Sequence, residues 1–147
     1  VMVAIDGSES SLRAVDHLCF MLAGNPELSL TLFHVAAKIG DYCEIDFSSK
    51  QEDLEKLVID GNNRCVQDFY THARLKFKDA GIPEDRIDIK EVKPRMNVGK
   101  AIMNEFNSGD YGTLVIGRRG ISRSFFMGSV SEYLVDKMEN CALWLVS

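Results

Sequence analysis

The stretch that decides the fold is VMVAIDGSESSLRAVDHLCFML at residues 1–22. Its first five residues form a short apolar run, and the turn-forming triplet DGS follows at residues 6–8. From Leu12 to Leu22, apolar residues recur three and four positions apart, which is the spacing of one helix face. A buried strand that passes through a turn into an amphipathic helix is the first half of a strand–helix–strand unit. The opening therefore predicts an α/β protein.

The same alternation continues along the chain. We predict further strands at 28–35, 87–92, 113–116 and 142–146. We predict further helices from about residue 50 to 80, over 98–106 and over 129–138, with a loop at 36–49. Nearly continuous apolar strands are typical of parallel strands that are covered on both faces. The sequence thus indicates an open sheet of five parallel strands with helices on both faces.

Composition limits the partners of this chain. Its 147 residues are the length of one ordinary domain, so we assign a single domain to 1–147. The formal net charge of −5 disfavours nonspecific binding to nucleic acid or to an anionic membrane. No apolar run approaches the roughly 18 residues of a membrane-spanning helix. We therefore predict a soluble domain with neither nucleic acid nor membrane as partner. Because Val1 lies within a predicted strand, we expect residues to precede it.

The cysteines and the long helix give more local predictions. Cys19, Cys43, Cys65 and Cys141 show no CxxC spacing, which argues against a zinc cluster or a redox pair. All but Cys43 lie in apolar periodic segments, so we predict small buried thiols in a reducing compartment. The long helix presents an apolar face of Leu54, Leu57, Val58, Cys65, Phe69, Ala73 and Ala80. Gly61 lies within it and marks either a bend or a break between two helices.

The most informative loop follows the strand that ends at Ile116. It has the sequence GRRGISRSFFMGS at residues 117–129, and a helix follows. Glycines let backbone N–H groups approach an anion, and a helix N-terminus offers unpaired N–H donors. Arg118, Arg119 and Arg123 add charge that suits phosphate. In an open parallel sheet, ligands bind beyond the carboxyl ends of the strands. The pattern favours a phosphate site there, although ordinary turn and cap chemistry also accounts for these glycines.

Individual polar residues have two possible roles. Ser129 and Glu132 match a capping box, which would explain Ser129 without a ligand. Asp6 could accept a hydrogen bond from a ribose hydroxyl or an adenine amino group, or it could simply begin the turn into the first helix. Ser8 has the same ambiguity.

Four stretches of the chain form one pattern: residues 3–8 (VAIDGS), residues 32–35 (LFHV), the glycine loop that ends in GSV at 128–130, and the apolar last strand. This pattern resembles the universal stress protein family. The resemblance covers essentially the whole chain. It implies a Rossmann-like fold, a cytoplasmic stress-response protein and a homodimer paired through residues 142–146. In one subfamily it also implies ATP, with magnesium, bound across the ends of the first and fourth strands.

By position, the resemblance implies adenine-nucleotide contacts from Ala4, Ile5, Asp6, Val35, Ile116, Gly117, Gly120, Gly128, Ser129 and Val130. Arg118 and Arg119 replace small or polar residues, and they either pair with phosphates or fill the site. The nucleotide-binding subfamily has nine residues between the second and third glycines, whereas this chain has seven between Gly120 and Gly128. Two missing residues shorten the loop by up to about 7 Å, so the phosphate cradle must differ or be absent.

Three functions are consistent with these residues. The first is a stress-response domain that binds an adenine nucleotide without efficient turnover, and the second is a dimeric interaction module that binds none. In the second, the arginines would bind an acidic protein or another anion. The third is a weak ATPase or phosphotransferase in which Asp6 holds magnesium. No P-loop, GxSxG or HExxH motif is present, and His34 is expected to be a hydrogen-bonded packing residue, so we predict no catalytic residue.

Overall fold

The computed structural model describes residues 1–25, 27–36, 51–93, 97–120 and 127–147, with the backbone alone for residues 51–59 and 62. Within them the strands are β1 Met2–Ile5, β2 Leu30–Val35, β3 Ile87–Val92, β4 Thr113–Gly117 and β5 Ala142–Val146. The α-helices are α1 Glu9–Leu22, α2 Gln51–Asp79, α3 Val98–Ser108 and α4 Ser129–Lys137. The predicted loop beyond Ala36, Cys43 and Arg123 lie outside the described residues.

The strands form one parallel sheet in the order β3-β2-β1-β4-β5, which confirms the predicted fold class. The chain moves outward from β1 to β2 and β3, then returns to the other side of β1 for β4 and β5. The strand order therefore reverses between β1 and β4. A crevice for ligands is expected at the carboxyl ends of these two strands. Asp6 follows β1 there, and Arg118 follows β4.

Two apolar layers hold the sheet. Core residues from α1 and α2 pack on one face, whereas α3 and α4 cover the other. All six residues of the inner strand β2 are buried, but the outer strands β3 and β5 are only partly buried. Adjacent β1 residues serve the two faces alternately: Val3 packs in the α1–α2 layer and Met2 in the α3–α4 layer. The doubly covered sheet explains why the strand sequences are nearly continuous apolar runs.

Helix α2 differs from the prediction in its continuity and in its buried face. It is continuous through Gly61, so the predicted break is wrong. Its buried face in the fully described part consists of Val66, Phe69, Tyr70, Ala73 and Phe77. Cys65 is exposed, and Ala80 lies beyond the helix end, so both were wrongly placed on the buried face. The side chains of Leu54, Leu57 and Val58 lie outside the described set.

None of the three described cysteines is fully buried. Cys65 is exposed, and Cys19 and Cys141 are half-buried, so the prediction of buried thiols is wrong for all three. Cys65 precedes the buried Val66 and lies beside the turn after β1 rather than under the sheet. Cys19 lies on the side of α1 that faces Asp16 and Lys76. Burial raises the pKa of the Cys19 thiol, and Asp16 adds to the rise, which keeps this thiol protonated and unreactive.

Candidate functional site at the ends of β1 and β4

The turn after β1 is held by its own side chains. The Asp6 carboxylate accepts a hydrogen bond from the Ser8 amide at 2.9 Å, which forms an Asx turn. Gly7 has φ +79°, a conformation that suits glycine. Ser8 then caps α1, since its hydroxyl oxygen accepts the Ser11 amide at 3.2 Å. The structural roles considered for Asp6 and Ser8 are therefore both present.

The glycine loop after β4 lies directly against this turn. A Cβ atom at Gly117 would lie 2.8 Å from Ser10 Cβ and 2.9 Å from the Ser10 carbonyl carbon. A Cβ atom at Gly120 would lie 2.7 Å from Asp6 Oδ2. All three distances are shorter than real Cβ contacts allow. Gly117, at the end of β4, can lie this close to Ser10 in α1, and Gly120 this close to Asp6, because neither glycine carries a side chain.

The start of α4 differs from the predicted capping box. Gly128, not Ser129, is the N-cap residue, and none of the described side chains caps the helix. Gly128 donates its amide hydrogen to the Arg118 carbonyl at 3.0 Å, and its own carbonyl accepts the Glu132 amide at 2.9 Å. These bonds fix the helix start one residue before the predicted cap. Ser129 is consequently the first helical residue, and it is exposed.

The two arginines lie on the outside of the loop. The side chains of Arg118 and Arg119 are exposed. The Arg118 amide donates to the Val146 carbonyl at 2.6 Å, so the loop continues the pairing of β4 with β5 before it turns away. The Arg119 carbonyl lies 3.5 Å from the Ser8 hydroxyl, at the limit of a hydrogen bond. Neither arginine fills the space between the strand ends, and both are accessible to an anion.

A buried histidine connects the end of β2 to the end of β1 by a hydrogen-bonding contact. His34 is 4% exposed, and its Nδ1 atom lies 2.9 Å from the Ile5 carbonyl oxygen. It is the hydrogen-bonded packing residue that the sequence predicted. The side chains of Ile5, Val35 and Ile116 are also buried, so these residues can present only backbone atoms to a ligand.

Most of the predicted site residues are brought together at this edge. Asp6, Gly117, Gly120 and Gly128 meet around the switch point, with Ala4, Ile5 and Ile116 in the strands beneath them. Ser129 and Val130 begin the helix above them. Val35 lies one strand further away, at the end of β2. No predicted site residue is displaced to another part of the fold.

Two buried serines escaped the sequence analysis. Ser10, which is 5% exposed, packs on Gly117. Ser131, which is 4% exposed, donates its hydroxyl hydrogen to the Gly117 carbonyl at 2.8 Å. Each serine lies in the first turn of its helix, where serine is common for local reasons. Their contacts with Gly117, which is distant from both in the sequence, show that the two serines hold the end of β4.

The described part of the chain also limits the chemistry of the site. It contains no group of three or more His, Cys, Asp or Glu side chains that could hold a metal ion. None of its helices combines the length and apolar character needed to cross a membrane. The site therefore consists mainly of backbone groups, one carboxylate, serine hydroxyls and two arginines.

The sheet order and the glycine loop at the switch point define a Rossmann-like α/β protein. The chain belongs to the universal stress protein family, since the model of that family matches residues 1–146. No curated protein sequence matches the chain.

Solved structures agree with the fold. A universal stress protein from Burkholderia pseudomallei is similar with a TM-score of 0.70 and 15% identity, over 99% of this chain and 93% of its own. One from Archaeoglobus fulgidus has a TM-score of 0.63 and 14% identity, over 99% and 91%. A universal stress protein in complex with cAMP has a TM-score of 0.62 and 21% identity, over 99% and 94%. At these identities the likeness establishes the fold alone.

Proposed function

We propose that this domain is a stress-response protein that binds an adenine nucleotide at the ends of β1 and β4 and does not turn it over efficiently. The observation that carries the proposal is the position of Asp6 and of the start of α4, which no side-chain hydrogen bond among the described residues caps, at the point where the strand order reverses. Family membership supports it, and so does the complex of a structurally similar universal stress protein with cAMP.

Each part of the nucleotide has a matching group. Asp6 is half-buried at the end of β1 and can accept a hydrogen bond from a ribose hydroxyl or an adenine amino group. The uncapped first turn of α4 offers the amides of Ser129 and Val130 to phosphate oxygens. The exposed Arg118 and Arg119 supply positive charge. Magnesium would arrive with the phosphates of the nucleotide, with Asp6 as the carboxylate that could approach it.

Efficient catalysis is not part of this proposal. One oxygen of Asp6 already accepts the Ser8 amide, and His34 is buried against the Ile5 carbonyl. These contacts give both groups structural roles near the site. A weak ATPase that uses Asp6 to hold magnesium would release phosphate, and Asp6→Asn would abolish that release while nucleotide binding persisted. Absence of phosphate release from the wild-type protein would exclude this alternative.

Nucleotide binding can be tested by thermal unfolding and by analysis of the purified protein. At a free ligand concentration of 100 times Kd, binding adds about 2.7 kcal/mol to the free energy of unfolding. At this chain length that corresponds to a rise in Tm of roughly 5 to 10 °C. Nucleotide retained through purification would appear as absorbance and mass in the denatured supernatant. No change in Tm with any adenine nucleotide at millimolar concentration would refute the proposal.

A variant pair makes this test specific. A Cβ atom at Gly128 would point toward Gly120 N at 3.5 Å and Arg118 O at 3.6 Å, distances that the fold tolerates. Gly128→Ala should therefore fold but should weaken nucleotide binding, because its methyl group would occupy the space between Gly128 and Gly120. Gly112→Ala is the matched control, because no atom of the described part of the chain lies within 4 Å of its Cβ position. Equal binding by both variants would place the ligand elsewhere.

A non-nucleotide interaction module is the second candidate. The hydrogen bond from Gly128 to Arg118 favours it, because that bond closes the loop on itself. In this function the exposed arginines bind an acidic protein or another anion. An unliganded protein that shows no Tm response to nucleotides would support it, whereas ATP or AMP retained through purification would exclude it.

We also propose a homodimer that pairs through β5. This strand is an edge of the sheet, bonded to β4 on one side, and its Leu145 side chain is 40% exposed. An apolar edge strand left open invites pairing with another chain. Light scattering after size-exclusion chromatography should give twice the 16.5 kDa mass of the chain. A mass near 16.5 kDa at micromolar concentration would contradict the dimer.

A further inference from the structure

We propose that Ser131 is a positioning residue of the nucleotide site. Its buried hydroxyl holds the first turn of α4 against the end of β4, and this contact fixes the amides of Ser129 and Val130 for binding to phosphate. The inference rests on the proposed nucleotide site and adds a residue that acts through the backbone rather than by touching the ligand. It follows from the hydrogen bonds around Gly117 and Arg118.

The Ser131 hydroxyl bonds across the fold rather than within its own helix. Ser131 is the third residue of α4 and is 4% exposed. A serine in the first turn of a helix commonly bonds to backbone groups of that turn. Here the hydroxyl donates to the Gly117 carbonyl at 2.8 Å. Because Gly117 ends β4, this bond joins the helix start to the strand end at which the ligand crevice is expected.

The end of β4 is held by other contacts as well. The Arg118 amide donates to the Val146 carbonyl at 2.6 Å, which ties the strand end to β5. Gly117 also lies against α1, since a Cβ atom at Gly117 would lie 2.8 Å from Ser10 Cβ. The strand end therefore stays in place without the Ser131 hydroxyl. The part of the site that loses a restraint is the first turn of α4.

A second hydrogen bond explains why the contribution of Ser131 matters. The Gly128 amide donates to the Arg118 carbonyl at 3.0 Å and holds the N-cap residue of α4. With this bond alone, the first turn can pivot about Gly128, whereas the bond from Ser131, three residues further along, prevents the pivot. A hydrogen bond weakens steeply as its angle departs from linearity. Loss of the Ser131 hydroxyl should therefore weaken the hydrogen bonds from Ser129 and Val130 to a phosphate.

Equilibrium dialysis with adenosine, AMP and Mg-ATP tests this positioning role. In Ser131→Ala, the dissociation constants for AMP and Mg-ATP should rise about five- to tenfold, because the amides that bind phosphate lose their alignment. Adenosine has no phosphate, so its dissociation constant should stay within about twofold of the wild-type value. A general loss of structure at the site would weaken the binding of all three compounds together.

Ser11→Ala is the matched control. Ser11 is 2% exposed in the first turn of α1, and its hydroxyl donates to the Ser8 carbonyl, within the same turn, at 2.8 Å. Both substitutions should lower the midpoint of urea unfolding, but only Ser131→Ala should weaken the binding of AMP and Mg-ATP. Equal nucleotide affinities in the two variants, or a loss of adenosine binding as large as that of AMP, would overturn the positioning role and leave the proposed site intact. If the wild-type chain bound neither nucleotide, the proposed function would fail and the positioning role with it.

Ser131→Cys gives a second measurement if the alanine variant does not fold. The thiol is close to the hydroxyl in size but is only a weak hydrogen-bond donor. This variant should also bind AMP more weakly than the wild-type chain does, with adenosine binding retained. An AMP affinity equal to that of the wild-type chain would contradict the role of the hydrogen bond to Gly117.

Discussion

The phenol of Tyr70 is the basis of a stability prediction that needs no ligand. Tyr70 lies on the buried face of α2 and is 4% exposed. Its hydroxyl is buried and has no hydrogen-bond partner among the residues that the structure describes. Burial raises the pKa of Tyr70 to about 12, and the nearby Glu91 carboxylate adds to the rise. A polar group that gives up its water without a replacement partner destabilises the folded state.

Replacing Tyr70 by Phe should therefore stabilise the domain. An unsatisfied buried polar group costs about 1 to 3 kcal/mol, and Phe keeps the ring in place while removing that group. Some loss of packing around the missing oxygen offsets part of the gain. We expect a net stabilisation of about 1 kcal/mol, or roughly 3 °C in Tm at neutral pH.

The difference in stability between Tyr70→Phe and the wild-type domain should depend on pH. The pKa near 12 in the folded state exceeds the value near 10 expected for an unfolded tyrosine. The unfolded chain therefore loses the Tyr70 proton first as the pH rises. Ionisation of Tyr70 therefore leaves the free energy of unfolding unchanged below about pH 10 and lowers it between about pH 10 and 12. Tyr70→Phe lacks this loss, so its advantage over wild type should grow across that window.

A matched substitution separates this effect from a general effect of losing a hydroxyl. Tyr111 donates its hydroxyl hydrogen to Glu105 Oε1 at 3.2 Å and accepts one from Lys90 Nζ at 3.2 Å. Tyr111→Phe should therefore destabilise the domain by about 0.5 to 1.5 kcal/mol. Urea unfolding of both variants between pH 7 and 11 measures the difference. If Tyr70→Phe is destabilised by 1 kcal/mol or more, the hydroxyl has a partner and the reasoning is wrong.

Two further substitutions test the contacts that build the site. Gly117→Ala should lower the free energy of unfolding by about 1 to 3 kcal/mol, because its methyl group meets the backbone of Ser10. The control Gly112→Ala should change it by no more than about 0.5 kcal/mol. Similar losses in both variants, measured by chemical unfolding, would contradict the close contact at Gly117. Ser8→Ala removes the N-cap of α1 and should lower stability by about 1 kcal/mol, whereas Ser8→Gly should lower it by only a few tenths, and equal losses would show that capping is not the reason.

The fold could be predicted because its signals are local. Apolar runs, turn residues and helical spacing each occupy a few consecutive positions, and their order alone implied a parallel sheet. The weaker, alternating pattern at Ile87 and Ile89 also has a physical cause. It belongs to β3, an edge strand that the sheet covers less completely than β2. The strength of the apolar signal therefore reflected position within the sheet.

The errors occurred where the outcome depends on distant contacts. Ser129 matches a capping box in sequence, but the hydrogen bond from Gly128 to Arg118 sets the helix start one residue earlier. Cys65 lies beside the buried stripe of α2, and its Sγ atom is 3.5 Å from the position that a Cβ atom would take at Gly7, yet the residue as a whole is exposed. A contact with a remote segment therefore decided where α4 begins. The exposure of Cys65 depends on which side of α2 packs on the sheet, and the spacing of apolar residues resolves that side only approximately.

The three glycines of the loop show most clearly what the sequence could not resolve. By sequence alone, all of them suit either close packing or an anion. Packing accounts for Gly117, because a side chain there would collide with the backbone of Ser10, whereas a side chain at Gly120 would displace the Asp6 carboxylate. Gly128 differs, since its Cβ position makes only ordinary contacts and its φ of −65° is open to any residue. Among the described residues, no steric contact requires glycine at 128. Gly128 is therefore the glycine whose substitution can separate a requirement of the ligand from a requirement of the fold.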